Sequence, residues 1–328
     1  MSVNIPNRED ISKGANTLRN AELNGVRGVM EIKGQRPGPR LYLGTGTHGD
    51  EHIGSGLVVP FLKQELQLTR GSIVIAINNL LAFDKRVRKL PNGQNFNRMP
   101  ADIMERPRDE WTAIRMQALK NAGALDATHG FDAHTVVNQC DPMTLHIKGR
   151  TDFGRQIGIQ DHLTNIVEHH HVEPGSVPLL AFGNFIGGVE NNDVPVIEVE
   201  GGGPHNDPRI IIGLINGLVA TLMELEMIDD KHVEENPTTK NEYKITGSQK
   251  LSTDYEVVHE YDQYQHMQGG ELIARDTTGK NPDILAQPNR TLIFPLPAGR
   301  ITTTSDDEFF YSEPAKVTQI QGIKARLK

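Results

Sequence analysis

Short apolar, β-branched runs alternate with stretches of helical spacing through the first two thirds of the chain. That alternation restricts the fold more than any other feature. "RLYLGTGT" at Arg40–Thr47 reads as a buried strand entering a glycine-rich turn. "HIGSGLVVPFLKQELQ" follows with apolar residues at roughly helical spacing, and "GSIVIAINN" at Gly71–Asn79 is another β-branched run. Together they predict a strand, helix, strand unit. A helix expected around Glu110–Leu125 leads into a strand candidate, "GFDAHTVV" at Gly130–Val137, and "VPVIEVEGGG" at Val194–Gly203 supplies one more. "NDPRIIIGLINGLVATLMELEMI" then predicts a long helix, with Asp207 as N-cap and Pro208 as its first residue. The expected fold class is α/β: a mostly parallel or mixed sheet sandwiched by helices.

The composition turns polar and charged at "DDKHVEENPTTKNEYK", Asp229–Lys244. Beyond it, "YEVVHEY", "GELIARD", "RTLIFPL" and "DEFFYSEPAKV" are short β-rich runs separated by Gly, Pro and Asn. The expected division is therefore a large α/β domain over 1–230 and a small all-β C-terminal domain over 231–328. A chain of 328 residues has room for one large domain and one small one.

The 34 basic and 42 acidic residues give a net charge of −8, spread without a long run of one sign, which disfavours a nucleic acid or an anionic membrane as partner. Cys140 is the single cysteine, so no intrachain disulfide can form. The N-terminal stretch has no apolar signal-like core and no segment is apolar enough to span a bilayer, so the expected location is cytoplasmic.

Chemistry concentrates in "THGDEHIG", Thr47–Gly54, on the loop leaving the first of these strands. Open α/β sheets keep their ligand sites at the carboxyl ends of strands. A zinc site of catalytic type takes three protein ligands and leaves a position open, commonly with two ligands near in sequence and one far away. His48 and Glu51 have the spacing of the near pair, although many His-x-x-Glu pairs are surface loops. His134 in "FDAHT" is the favoured third ligand, because its strand should end on the same side of the sheet. Asp132, two residues earlier, is either a partner supporting His134 or a neighbour.

"GTHGDEHIG", "NNLLAFDKRVRKLPNGQNFNR", "FDAHT" and "PVIEVEGGG" occur in the order seen in the succinylglutamate desuccinylase and aspartoacylase family, relatives of the zinc carboxypeptidases, and the chain resembles that family over roughly its first two thirds. The resemblance implies a zinc carboxypeptidase-like fold with one zinc per chain, held by His48, Glu51 and His134. It implies that Arg88 polarises the scissile carbonyl, that Asn97 and Arg98 grip a substrate carboxylate, and that Glu200, two residues before Gly202, is the general base. Those roles suit the chemistry, since a guanidinium fork binds a carboxylate bidentately and a fixed cation stabilises an oxyanion. Leu80 and Asn95 depart from the family's usual Pro and Asp. Glu198 would share a strand face with Glu200 and is the rival base, as Arg86 is the rival of Arg88.

The activity so implied is a zinc-dependent amidohydrolase removing the acyl group of a small N-acyl amino acid or related compound that carries a carboxylate. A metallocarboxypeptidase acting on short peptides is the alternative within the enzymes. A non-catalytic metal- or ligand-binding module is the alternative of another class. A homo-oligomer is compatible with all three. Elsewhere, Asp50 is expected to shape its loop and His52 to be solvated or to pack on the following helix. "EHHHVEPG" at Glu168–Gly175 reads as a surface or rim loop, since three consecutive side chains diverge in any regular element. Arg108 and Arg115 are expected in surface salt bridges.

Overall fold

The computed structural model describes residues 6–90, 96, 110–135, 141–147, 153–161, 163–169, 196–200, 208–293, 295–296, 298–301 and 308–326. Helix α1 (Arg8–Asn20) starts on a capping box: the Asn7 side chain accepts from the amides of Glu9 and Asp10, while the Asp10 carboxylate accepts from the Asn7 amide. The hairpin β1 (Glu22–Leu23) and β2 (Val26–Arg27) leads to β3 (Val29–Lys33) and to β4 (Arg36–Thr45). Helix α2 (Ile53–Pro60) then crosses to β5 (Arg70–Ile77), the strand, helix, strand unit expected from the sequence. Next come α3 (Leu80–Lys85), α4 (Glu110–Asn121), β6 (His129–Ala133), β7 (Met143–Ile147), α5 (Phe153–Gln160), β8 (Asn165–His169), β9 (Val196–Glu200) and α6 (Pro208–Glu224).

Strands β3 to β9 lie in one mixed sheet in the order β8-β7-β9-β6-β4-β5-β3, and β1 and β2 pair with each other apart from it. Strand β4 is parallel to both β5 and β6, and β6 to β9, while β7 runs antiparallel to β9 and β3 to β5. The α/β fold class read from the sequence is the observed one. Alternate residues along β4 separate two layers. Leu41 and Leu43 join a core with Ile11 and Leu18 of α1, Leu57 of α2 and Leu214 and Leu218 of α6. Tyr42 faces the other way, into a cluster with Val74, Ala76 and with Met116 and Leu119 of α4.

Helix α2 lies so close to α1 that glycines meet. A β-carbon on Gly56 would stand 2.2 Å from the Ile11 carbonyl oxygen, and one on Gly14 would stand 2.0 Å from the Gly56 oxygen. Among the described residues no helix is long and apolar enough to cross a membrane.

From Val233 on, the described chain is strand-rich, with β10 (Val233–Lys250), β11 (Tyr255–Val257), β12 (His266–Met267), β13 (Leu272–Asp276), β14 (Ile284–Leu285), β15 (Arg290–Ile293), β16 (Gly299–Arg300), β17 (Glu308–Ser312) and β18 (Lys316–Ala325). The polar stretch Asp229–Lys244 is largely strand: β10 pairs in parallel with β8 and antiparallel with β17 and β18, extending the main sheet to twelve strands. Its polar residues alternate with side chains that go inside. The innermost is Lys240, whose ammonium donates to the carboxylate and carbonyl of Asp161, each at 2.6 Å, and to the Leu163 carbonyl. Thr144 donates to the other Asp161 oxygen. Burial raises the Asp161 carboxyl above its ordinary value, and the Lys240 charge opposes that rise.

Candidate metal centre

The order of the strands makes a crevice before any side chain is considered. From β4 the chain crosses through α2, on one face, to β5 on one side. It then passes through α4, on the other face, to β6 on the opposite side of β4. The next strand after β4 is β5 on one side and the next after β6 is β7 on the other, so successive strands part from this neighbouring pair, and such a parting at the carboxyl ends is where open α/β sheets accept ligands. Thr45 and Ala133, the last residues of the two strands, pair with each other. His48 and Glu51 follow the first and His134 follows the second.

The three side chains meet. Each offers a ligand atom, these atoms lie within 4.8 Å of one another, and all three residues are buried. His48 Nδ1 stands 2.7 Å from Glu51 Oε1, and His134 Nε2 stands 3.5 Å from Glu51 Oε2. The imidazoles are edge to face, 4.7 Å between centroids. Ligands at zinc distances on a tetrahedron lie about 3.3 Å apart, so two imidazoles and a carboxylate this close form a donor set that could hold such an ion. Two neutral nitrogens and one anionic oxygen also suit zinc over the oxygen-preferring calcium or magnesium.

Arg88 approaches from the solvent side. Its guanidinium is 3.6 Å from Glu51 Oε1 with the side chain 35% exposed, and its carbonyl accepts from the Gly49 amide at 3.1 Å. Arg86 is instead the left-handed C-cap of α3 and is exposed. The segment leading to Arg88 begins with Asn79, which caps α3 through the Ala82 amide. Leu80, at the departure from the usual Pro, is buried against Gly28.

His52 stacks on Phe83 at 3.9 Å and bonds the Gly49 carbonyl, so it packs beside the loop. Asp132 Oδ2 lies 3.6 Å from His134 Nδ1, and the carboxylate accepts from the Thr47 hydroxyl at 3.2 Å and 3.3 Å. Asn97, Arg98, Cys140, Arg108, His170 and His171 lie outside the described residues, and of Glu198 and Glu200 the backbone alone is described. That backbone places Glu198 in register with Asp132, and Glu200 directly after the Ala133–Val199 pair, as His134 is on the neighbouring strand.

Arg115 corrects one expectation. It is 3% exposed and donates to the carbonyls of Arg27, Ile77 and Asn78, so it is a buried clamp on the end of β5 and not a surface salt bridge. Burial pushes its guanidinium down to about 10. Sequence reasoning also passed over Tyr42, Thr47 and Asn78, which are buried around the same loop. The available signal was two asparagines closing an otherwise apolar strand in "IVIAINN".

Fold and site together define an α/β protein with a mixed sheet and a buried His–Glu–His cluster, at the carboxyl edge of that sheet, that could hold a metal ion. Residues 37–151 match the family model described as the succinylglutamate desuccinylase/aspartoacylase catalytic domain. The matched span includes three of the four motifs, those around His48, Arg88 and His134, and ends before the one that contains Glu200.

Solved structures with the same fold include the succinylglutamate desuccinylase of Vibrio cholerae (16% identity, TM-score 0.62, covering 87% of this chain and 89% of that one). Others are a succinylglutamate desuccinylase/aspartoacylase of Rhodobacter sphaeroides (18%, 0.62, 88% and 89%) and an aspartoacylase family protein of Mesorhizobium loti (19%, 0.61, 87% and 88%). Comparison with curated protein sequences gave no match.

Proposed function

We propose that this protein is a zinc-dependent amidohydrolase that removes the acyl group from a small N-acyl amino acid or a related carboxylate-bearing compound. The observation that carries the reading is the convergence of His48, Glu51 and His134, buried, where β4 and β6 end, with the Arg88 guanidinium beside them. His48, Glu51 and His134 hold the ion. Zinc in such a site supplies water acidified to near neutral pKa and a Lewis acid for the carbonyl.

Arg88 brings a fixed positive charge to the carbonyl oxygen as negative charge builds there, which is worth most where protein excludes water. Glu200 takes the proton of the attacking water and later gives it to the departing amine nitrogen. Asn97 and Arg98 hold the substrate carboxylate in a planar fork and so fix which amide is presented. Residues 1–230 form the catalytic domain in this reading. Residues 231–328, joined to it through the main sheet, narrow the approach and favour small substrates over polypeptides.

The test is metal analysis of the purified protein together with release of free amine from a panel of N-acetyl, N-succinyl and other N-acyl amino acids. Wild type is expected to carry one zinc per chain and to hydrolyse at least one of them. Glu200→Gln is expected to keep the zinc and to lose at least about 100-fold in kcat, the scale of general acid–base catalysis. A wild type without metal, or a Glu200→Gln variant as fast as wild type, overturns the assignment.

A further inference from the structure

Beneath the loop that carries His48, four buried polar side chains form a chain of hydrogen bonds. Thr47 Oγ1 contacts the Asp132 carboxylate at 3.2 Å and 3.3 Å, Asn78 Nδ2 lies 2.8 Å from Thr47 Oγ1, and Tyr42 OH lies 2.9 Å from Asn78 Oδ1. A carboxylate only accepts, so the Thr47 proton goes to Asp132. Thr47 must then accept from Asn78, which puts the amide nitrogen on that side and leaves its oxygen to accept from the Tyr42 hydroxyl. Every donor points the same way, from Tyr42 toward Asp132.

The backbone is shaped to admit this chain. A β-carbon on Gly44 would stand 2.7 Å from Asn78 Nδ2 and 3.2 Å from Asp132 Oδ1, so glycine in β4 lets the two side chains approach across it. The carbonyl of Asn78 is held by buried Arg115. At the receiving end, Asp132 faces His134 Nδ1, while the other ring nitrogen faces Glu51. A carboxylate behind a metal-binding imidazole fixes its tautomer and ring orientation.

We propose that Tyr42, Asn78 and Thr47 are positioning residues that aim Asp132 at His134 and hold the His48 loop to β6, and so set the affinity of the site for zinc. This rests on the metal-site reading above. Thr47 joins both halves of the site, since it precedes His48 in the chain and bonds Asp132 next to His134. Its hydroxyl, and not its shape, is what the network uses.

The experiment strips the full-length protein of metal with a chelator and titrates zinc back against a competing indicator, with the melting temperature of the metal-free protein measured in parallel. Thr47→Val keeps the shape and removes the hydroxyl, and it is expected to weaken zinc binding by about 10- to 100-fold, as loss of an outer partner of a metal ligand does, with the metal-free protein still folded but melting lower because the buried Asn78 amide loses its acceptor. Thr47→Ser is expected to restore binding to within about threefold, because the hydroxyl returns. Tyr42→Phe, which removes the first proton of the chain, is expected to weaken zinc in the same direction and decides the matter if Thr47→Val does not fold.

Zinc binding at the wild-type level in Thr47→Val or Tyr42→Phe overturns the proposal, and so does a Thr47→Ser variant as weak as Thr47→Val. A wild type that takes up no zinc overturns the metal-site reading itself, and is visible before any variant is compared.

Discussion

Gly49 sits between His48 and Glu51, and the structure gives it no room to be anything else. A β-carbon there would lie 2.1 Å from the Ala82 carbonyl carbon, 2.3 Å from the Phe83 nitrogen and 2.5 Å from the Ala82 oxygen. All three are backbone atoms of α3, so no side chain can swing aside. Ordinary contact begins at 3.4 Å, so Gly49→Ala must push the loop back from the helix by about 1.3 Å.

Metal ligands tolerate errors of only about 0.2 Å, and a misplacement of about 1 Å at a catalytic centre costs on the order of 100-fold. The same shift breaks the bond from the Gly49 amide to the Arg88 carbonyl, so the guanidinium moves with the loop. On the proposed function, Gly49→Ala is therefore expected to lower amide hydrolysis at least about 100-fold and to release zinc to a chelator that wild type resists. Gly247→Ala, whose added carbon meets nothing within 4 Å, is the control and is expected to behave as wild type. A Gly49→Ala protein that retains zinc and activity would refute the claim that this glycine holds the ligand loop against α3.

Three further outcomes follow from the packing. Gly56→Ala forces α2 off α1 and is expected to destabilise by about 1–3 kcal/mol in urea denaturation, the usual range for overpacking; an unchanged midpoint would contradict the helix contact. Lys240→Met strands the buried Asp161 carboxylate and is expected to cost about 3–5 kcal/mol, part of which returns when Asp161→Leu is added; additive losses would show that the pair is not coupled. Asp276 accepts from the amides of Thr278, Lys280 and Asn281, which hold its carboxyl down at about 2, below the ordinary 3.8. A depressed acid contributes fully above its unfolded value and loses the contribution as pH falls through the folded one. The stability difference between wild type and Asp276→Asn is thus expected to be present at neutral pH and to vanish as pH drops from 3.8 toward about 2, read from melting temperatures across that range.

What the sequence disclosed and what it hid have separate physical causes. Strands β4 and β5 were legible because apolar residues buried on both faces leave an uninterrupted run, and α6 because its apolar positions recur at helical spacing. The pairing of His48 and Glu51 with His134 was legible because successive parallel strands end on one side of the sheet. Strand β10 reads as polar because a strand paired on both sides can bury Lys240, provided that a carboxylate and two carbonyls wait for it, and that match depends on Asp161, 79 positions away. Arg115 misled for the same reason. A guanidinium bonded to carbonyls is indistinguishable in sequence from one bonded to a surface carboxylate.

The register of the sheet also explains why the polar groups collect where they do. One row of paired residues crosses it as Ala76, Gly44, Asp132, Glu198, Leu145, Val167 and Tyr243. Ala76 belongs to the core under α4, and Leu145, Val167 and Tyr243 belong to the core shared with Ile293 and Phe310 of the strand-rich region. Between the two cores the row holds a glycine and two acids, next to the strand ends that carry His48 and His134. Two separate apolar clusters on this face each bury their own part of the sheet, and between them lies the buried Asp132 carboxylate, which accepts from the Thr47 hydroxyl. On the proposed function, a substrate reaching the His48–Glu51–His134 cluster from this face would therefore meet α4 on one side and the C-terminal strands on the other, which would tie the choice of substrate to a region that contributes none of those three residues.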